Sequence, residues 1–468
     1  MLFNSQPFLL VFLPLVLAAF HGCARLPGET GRTARQLVLV TASLVFYAAW
    51  NWRFVPVLVA LALATWWIGR RYADTGRAVW PVAGIVLNLA VLGVFKYANF
   101  IAANVAALVG GRHAAWSIVL PLGISFFVFQ KISYLADLKR GGPEYARAHR
   151  YRLLDFAEFV TFFPALVAGP LVRHNEIIPQ FAAPVLTART SENLSRGAML
   201  FLIGLTKKAA IADSIAPISD TLFGKAASGA VLNGAEAWAG SVAYTLQIFF
   251  DFSGYSDMAI GLALMFGLIL PVNFNAPYRS TSLRDFWRRW HITLSRFLRD
   301  YLYIPLGGNR AGLVRQCVNL TATMLLGGLW HGAAWTFVAW GGLHGVGLAM
   351  NHLWTRAGMR MPAWLGWLVT MLFVIVGWVL FRAPDFTTAW HILGSMAGLH
   401  GIGSLHLRNA VVFWAAIGIA LIGPSSQRAA LGLLRPSPWI AVPAAAAFVF
   451  LLFLTGGRVP SEFIYFQF

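Results

Sequence analysis

The run Met324–Met350 reads MLLGGLWHGAAWTFVAWGGLHGVGLAM and contains no Asp, Glu, Lys or Arg. Apolar sequence continues back to Cys317, so 317–350 has room for two helices of the roughly 20 residues that cross a bilayer core. Similar runs lie near 8–20, 37–51, 54–69, 79–95, 114–130, 155–171, 197–217, 238–250 and 257–272, and again at 362–381, 409–423 and 437–455. Hydrophobic residues make up 58% of the 468-residue chain and charged residues 11%. A soluble domain carries about 25% charged residues. The polar shell of a soluble protein this long cannot be built from so few charges. The expected fold is therefore an all-α polytopic membrane protein. Its span count is expected at roughly 10–12, with the shorter runs re-entrant or interfacial. The composition excludes a disordered chain, a disulfide-stapled secreted domain and a nucleic-acid-binding domain. The N-terminus lacks the charged region and cleavage site of a signal peptide, so Phe8–Phe20 is expected to stay as the first span. No internal repeat is evident, which disfavours an inverted-repeat transporter.

The formal charge is +19, and the basic residues fall in spacers between apolar runs. There they act as topology signals and as contacts for anionic lipid headgroups. The spacer 24–36 carries Arg25, Arg32 and Arg35, and 70–78 carries Arg70, Arg71 and Arg77. The segment 131–153 carries Lys131, Lys139, Arg140, Arg147, Arg150 and Arg152. All three fall on one side if the runs between them cross. The positive-inside rule makes that side cytoplasmic and puts the N-terminus in the periplasm. The two cysteines, Cys23 and Cys317, form no C-x-x-C motif.

The stretch PVNFNAPYRSTSLRDFWRRWHITLSRFLRDYLYIPLGGNR, Pro271–Arg310, interrupts the apolar pattern with arginines. Leu283, Phe286, Trp287, Trp290, Leu294, Phe297, Leu298 and Tyr301 recur at helical spacing. The pattern predicts one amphipathic helix with Arg288, Arg289, Arg296 and Arg299 on its polar face and His291 at the edge. Asp285 and Arg289 are expected to pair at i,i+4. Pro305 and the Leu-Gly-Gly-Asn that follows end the helix. Such a segment, taken as a basic amphipathic or re-entrant element over 273–310, grips anionic lipid. Its guanidinium forks also match the phosphates of a substrate.

His331 sits in the uncharged run, between Trp330 and Gly332, where a charged side chain is costly and an ionisable one marks function. The ring is expected neutral, the form a general base for a hydroxyl requires. The small neighbours leave room for a bound chain or a close helix crossing. His344, beside Gly341, Gly342 and Gly345, is expected to be a packing residue. Asp251, Tyr255, Ser256 and Asp257 lie in FFDFSGYSDMAIG, and the two carboxylates need partners. The arginines of 279–299 are the expected ones; a proton route through these carboxylates is the transporter reading. Asn273 and Asn275 flank a membrane boundary, with hydrogen bonds to loop backbone expected and no chemical role. The histidines lack metal-ligand spacing, and no metal site is expected. Walker A, G-x-S-x-G and dinucleotide motifs are absent.

Taken together, these motifs resemble the membrane-bound O-acyltransferase family, and within it the bacterial alginate O-acetyltransferase AlgI branch. The likeness extends over PLGISFFVFQKISYLAD (121–137), FPALVAGPLVR (163–173), FFDFSGYSDMAIG (249–261), the 271–310 stretch, LGGLWHGAAWTFVAWGGLHG (326–345) and FIYFQF (463–468). The resemblance implies a helical bundle around a membrane-crossing tunnel, as a single integral-membrane domain over 1–468. It also implies that His331 is the catalytic histidine and His291 the second functional position, with Trp330 beside the donor.

The implied activity moves an acetyl group from a cytoplasmic acyl thioester, with acetyl-CoA the natural donor, across the inner membrane for O-acetylation of an exopolysaccharide. No bound cofactor is implied. The implied partners are membrane lipid, the thioester donor and periplasmic acetyltransferase or polysaccharide-modifying proteins, not nucleic acid. His331 would take the hydroxyl proton, His291 would orient the donor or donate a hydrogen bond, and the arginine face would hold donor phosphates. D-alanyl transfer to teichoic acid, in another branch of the family, and a non-enzymatic transporter or scaffold for polysaccharide export are the alternatives.

Overall fold

The computed structural model describes residues 1–310, 312–405, 407, 409–457 and 462–466. The described residues form helices and connecting turns, with no strand among them. Five helical stretches among them are long and apolar enough to cross a bilayer: Gly28–Thr75, Val79–Leu108, Gly234–Met265, Ala363–Arg382 and Pro438–Gly456. Asn51, extended at φ −159° and ψ 104°, breaks the first into Gly28–Asn51 and Val55–Thr75. Phe8–Cys23 and Ala410–Ile422 are shorter apolar helices. This is a polytopic all-α membrane protein in which several of the apolar runs are interrupted. The 155–171 run splits at Phe162 (ψ 102°) into Leu153–Thr161 and Phe163–Leu166. The 114–130 run is irregular until Ile124, behind Pro121 and a left-handed Gly123 (φ 69°). The 197–217 run contains a π-helical turn, Thr206–Ala212.

The chain packs as two units. One comprises Met1–Leu202, Ser256–Pro271 and Leu434–Glu462. In it the basic segments meet at one end. Arg32 pairs with Asp155 at 2.8 Å, Arg152 with Glu29 at 2.8 Å and Arg150 with Asp74 at 3.1 Å. Arg147 adds a bond to the Ala73 carbonyl at 3.3 Å. The spacers 24–36 and 70–78 and the end of 131–153 thus share one side of the unit, as their charge pattern predicts. Lys131 does not belong with them. The segment is helical through Ala148, and Lys131 is buried inside that helix. Its Nζ donates to Phe127 O at 3.2 Å and lies 4.2 Å over the Phe127 ring, a local carbonyl and π face that substitute for water.

The second unit comprises Ile203–Tyr255, Val272–Leu433 and Phe463–Phe468. Six helices matter for the site: α1 (Gly234–Met265, of which the part to Tyr255 belongs to this unit), α2 (Leu283–Arg289), α3 (Ile292–Leu298), α4 (Gly312–His331), α5 (Trp335–Arg356) and α6 (Ala363–Arg382). The uncharged run Met324–Met350 folds within the α4–α5 hairpin. Its glycines serve the close crossing. A Cβ on Gly328 would run into Phe337 O, one on Gly341 into Met324 O, and one on Gly345 would sit 2.7 Å from Thr321 Cα. Close backbone approach is how membrane helices gain dispersion contact when no hydrophobic drive separates them from lipid.

Candidate active site

The predicted amphipathic helix is two helices. Trp290 is extended (φ −100°, ψ 126°) and His291 is left-handed (φ 43°, ψ 54°). A non-glycine residue held there stores about 1–3 kcal/mol of strain and persists only where its surroundings fix it. The fixing segment is 273–275. Ile292 N donates to Asn273 O at 2.9 Å, and Asn275 N donates to Arg289 O at 2.9 Å. These backbone groups would bond internally in a continuous helix. The 100° phasing therefore does not carry across the break, and the four arginines do not share one helical face.

Asn273 also decides the chemistry of His291. Both side chains are fully buried. Asn273 Oδ1 accepts from Thr293 N at 3.2 Å and Thr293 Oγ1 at 2.9 Å, and it lies 3.1 Å from His291 Nδ1. The backbone N–H can only donate, which identifies the amide atom as oxygen. His291 Nδ1 must then carry the proton, and Nε2 carries the basic lone pair. Phe252 rests edge-on against the imidazole at 4.7 Å between centroids.

His331 is the last residue of α4 and is buried. Its ring lies 4.9 Å from Trp330, 5.1 Å from Trp340 and 5.2 Å from Phe381. Trp330 in turn lies 6.4 Å from His291. The structure thus gathers Asn273, His291, Trp330 and His331 in one aromatic-walled site. His344 is not part of the pair. Trp287 Nε1 donates to its Nδ1 at 3.2 Å, and Trp340 (4.8 Å) and Phe373 (5.2 Å) pack on its ring.

Arg289 pairs with Asp285 at 2.9 Å, the i,i+4 contact the spacing predicts. Arg299 is held by its neighbour Asp300 at 2.6 Å. Arg288 is exposed and Arg296 half-buried.

Asp251 does not pair with arginines of 279–299. Lys208 takes its carboxylate at 2.6 Å, Ile464 N donates to it at 2.9 Å, and Lys208 also reaches Asp213 at 2.9 Å. The π-helical turn Thr206–Ala212 carries this lysine within what reads in sequence as an apolar run. Tyr255 stands edge-on to Phe463 at 4.4 Å. Ser256 and Asp257 are buried on the part of α1 that belongs to the other unit. Gln467 and Phe468, which end the FIYFQF motif, lie outside the described residues. Sequence reasoning missed Lys208 and the role of Asn273. The signals were a lysine pair inside the 197–217 run and an asparagine preceding an arginine-rich segment by a few residues.

Residues 76–383 match the model of MBOAT, the membrane-bound O-acyltransferase family. The chain is 39% identical to a peptidoglycan O-acetyltransferase of Helicobacter pylori, over 87% of this chain and 82% of that protein. It is 40% identical to the probable alginate O-acetylase AlgI of Azotobacter vinelandii over 100% of both. It is 42% identical to the probable alginate O-acetylase AlgI of Pseudomonas aeruginosa, over 85% of this chain and 75% of that protein. The chain belongs to the membrane-bound O-acyltransferase family.

Proposed function

From that membership we propose that the protein takes an acetyl group from a cytoplasmic thioester, acetyl-coenzyme A, and passes it across the inner membrane for O-acetylation of an exopolysaccharide of the alginate kind. The observation that carries this reading is that His331 and His291, both buried, lie against the same Trp330 ring, at 4.9 Å and 6.4 Å between centroids. The relatives named for alginate and for peptidoglycan acetylation both modify a glycan hydroxyl, which supports an oxygen acceptor of that class. The acceptor is reached through periplasmic partner proteins. The basic end of the first unit faces the cytoplasm, supported by the meeting of its arginine-bearing segments.

In this mechanism His331 takes the proton of the acceptor hydroxyl as its oxygen attacks the thioester carbonyl. The C–O bond forms, the tetrahedral centre collapses and the C–S bond breaks, releasing a thiolate that is already a good leaving group. His291 orients. Its Nδ1–H is committed to Asn273, so the neutral ring offers substrate an acceptor at Nε2. Of the two roles expected from sequence, orienting the donor or donating a hydrogen bond, this tautomer supports the first, with Nε2 accepting an N–H or O–H from donor or acceptor. The aromatic wall keeps water from hydrolysing the thioester.

Of the four arginines expected to hold the donor phosphates, Arg288, exposed, and Arg296, on the other side of the helix break, are the pair assigned here. Replacing both with glutamine should raise KM for acetyl-coenzyme A about tenfold to a hundredfold, since a hydrogen bond to a charged group contributes about 1.5–3 kcal/mol. The kcat should change little. Steady-state release of free coenzyme A by the purified protein measures this, and an unchanged KM would remove these arginines from the donor site.

A further inference from the structure

A second cavity lies in the same unit, away from the two histidines. It has a volume of about 950 Å³ and is walled by α5, α6 and the turn before α2. Leu313, Met350, Met361, Val369 and Phe373 make it apolar, and Arg356 lines it at one end. Glycines hold the turn and helices together at this place. A Cβ on Gly366 would lie 2.6 Å from Thr281 O, and one on Gly347 would lie 2.6 Å from the Phe373 ring. Charge at this end is one-sided. Between Gly345 and Leu372 the chain has His352, Arg356 and Arg360 and no acidic residue. Arg284 of α2 donates to His352 Nδ1 at 3.4 Å, one helical turn before Arg356. The one carboxylate of α2, Asp285, is taken by Arg289. Arg284, Arg356 and Arg360 are all exposed. Several wall residues, Met350 and Val369 among them, are exposed as well, which suits a site that opens to the bilayer.

We propose that this groove is a binding site for an anionic membrane phospholipid, with acyl chain along the Met350–Val369–Phe373 wall and phosphate between Arg284 and Arg356. An apolar trough with a basic rim, whose neighbouring carboxylate Asp285 is already paired with Arg289, complements an amphiphile of that charge. A neutral lipid would leave the arginines without a counter-charge, and a peptide helix would need acidic residues at one end only. Bound lipid would brace α2 against α5, the two helices that carry Trp287 and His344.

The test uses the purified full-length protein in native mass spectrometry, with dioleoylphosphatidylglycerol and dioleoylphosphatidylcholine offered in equal amounts. The native chain should retain phosphatidylglycerol preferentially. A basic residue near an anionic lipid surface is worth about a fivefold change in binding, so Arg284→Gln with Arg356→Gln should reduce that preference about twenty-five-fold. Val369→Trp, which fills the exposed trough, should reduce retention of both lipids. An unchanged lipid ratio in the double arginine variant would overturn the proposal. So would displacement of phosphatidylglycerol by acetyl-coenzyme A, which would assign the groove to the donor instead.

Discussion

Replacing His331 with alanine should cut the acetyl ester content of the polymer at least about a hundredfold, because a positioned general base contributes about 10²–10⁴ in rate. The side chain sits at the end of α4 with Trp330, Trp340 and Phe381 around it. Its removal leaves a void as well as removing a base. His331→Gln fills more of that space without supplying a comparable base, so it should be as inactive as alanine while keeping more of the protein. Ester content is measured on isolated polymer, with membrane abundance of each variant in parallel. Near-normal esters in an abundant His331→Gln variant would favour a scaffold or export role.

Asn273→Leu should give the next largest loss. The substitution keeps the volume and removes the acceptor shared by His291 Nδ1 and by Thr293. Buried donors left without a partner cost about 1–3 kcal/mol each, so the protein should melt earlier. The activity loss has a different origin. Without Asn273 Oδ1 the imidazole proton is free to move to Nε2, and the acceptor that faces substrate disappears. A wrong histidine tautomer lowers kcat by about 10⁴ in a serine protease triad. His291 supports rather than performs the proton transfer, so about a hundredfold is expected. Asn273→Asp keeps an acceptor and should recover much of the rate at equal abundance. Equal activities of the leucine and aspartate variants, once corrected for abundance, would show that the asparagine serves packing alone.

The membrane class was legible in sequence because it depends on local composition. An uncharged run with His331 in it reads the same way whatever surrounds it. The break at Trp290–His291 was not legible. Leu283, Phe286, Trp290, Leu294 and Phe297 keep a helical period straight through it. The bonds that open the helix come from Asn273 and Asn275, outside the periodic stretch. Lys131 misled and Lys208 was missed for a related reason. A lysine beside an apolar run signals a loop, yet Lys131 is satisfied by its own helix and a phenyl face, and Lys208, inside such a run, by Asp213 and Asp251. The packing of His344 against Trp287, Trp340 and Phe373 follows from the glycines beside it, which imply a tight crossing. The breaks at Phe162 and Gly123 were not legible either, because single backbone torsions there interrupt runs whose hydropathy is unbroken.

In the proposed reaction acetyl passes from a thioester on one side of the membrane to oxygen on the other, with His331 as the base. Inside-out membrane vesicles that enclose the polymer and its periplasmic partners expose the cytoplasmic face. Radiolabelled acetyl-coenzyme A added outside them should give labelled ester within, and vesicles carrying His331→Ala should give at most about a hundredth of that label. Right-side-out vesicles given the same donor should stay unlabelled. Equal labelling with and without His331, or equal labelling in both orientations, would contradict the account.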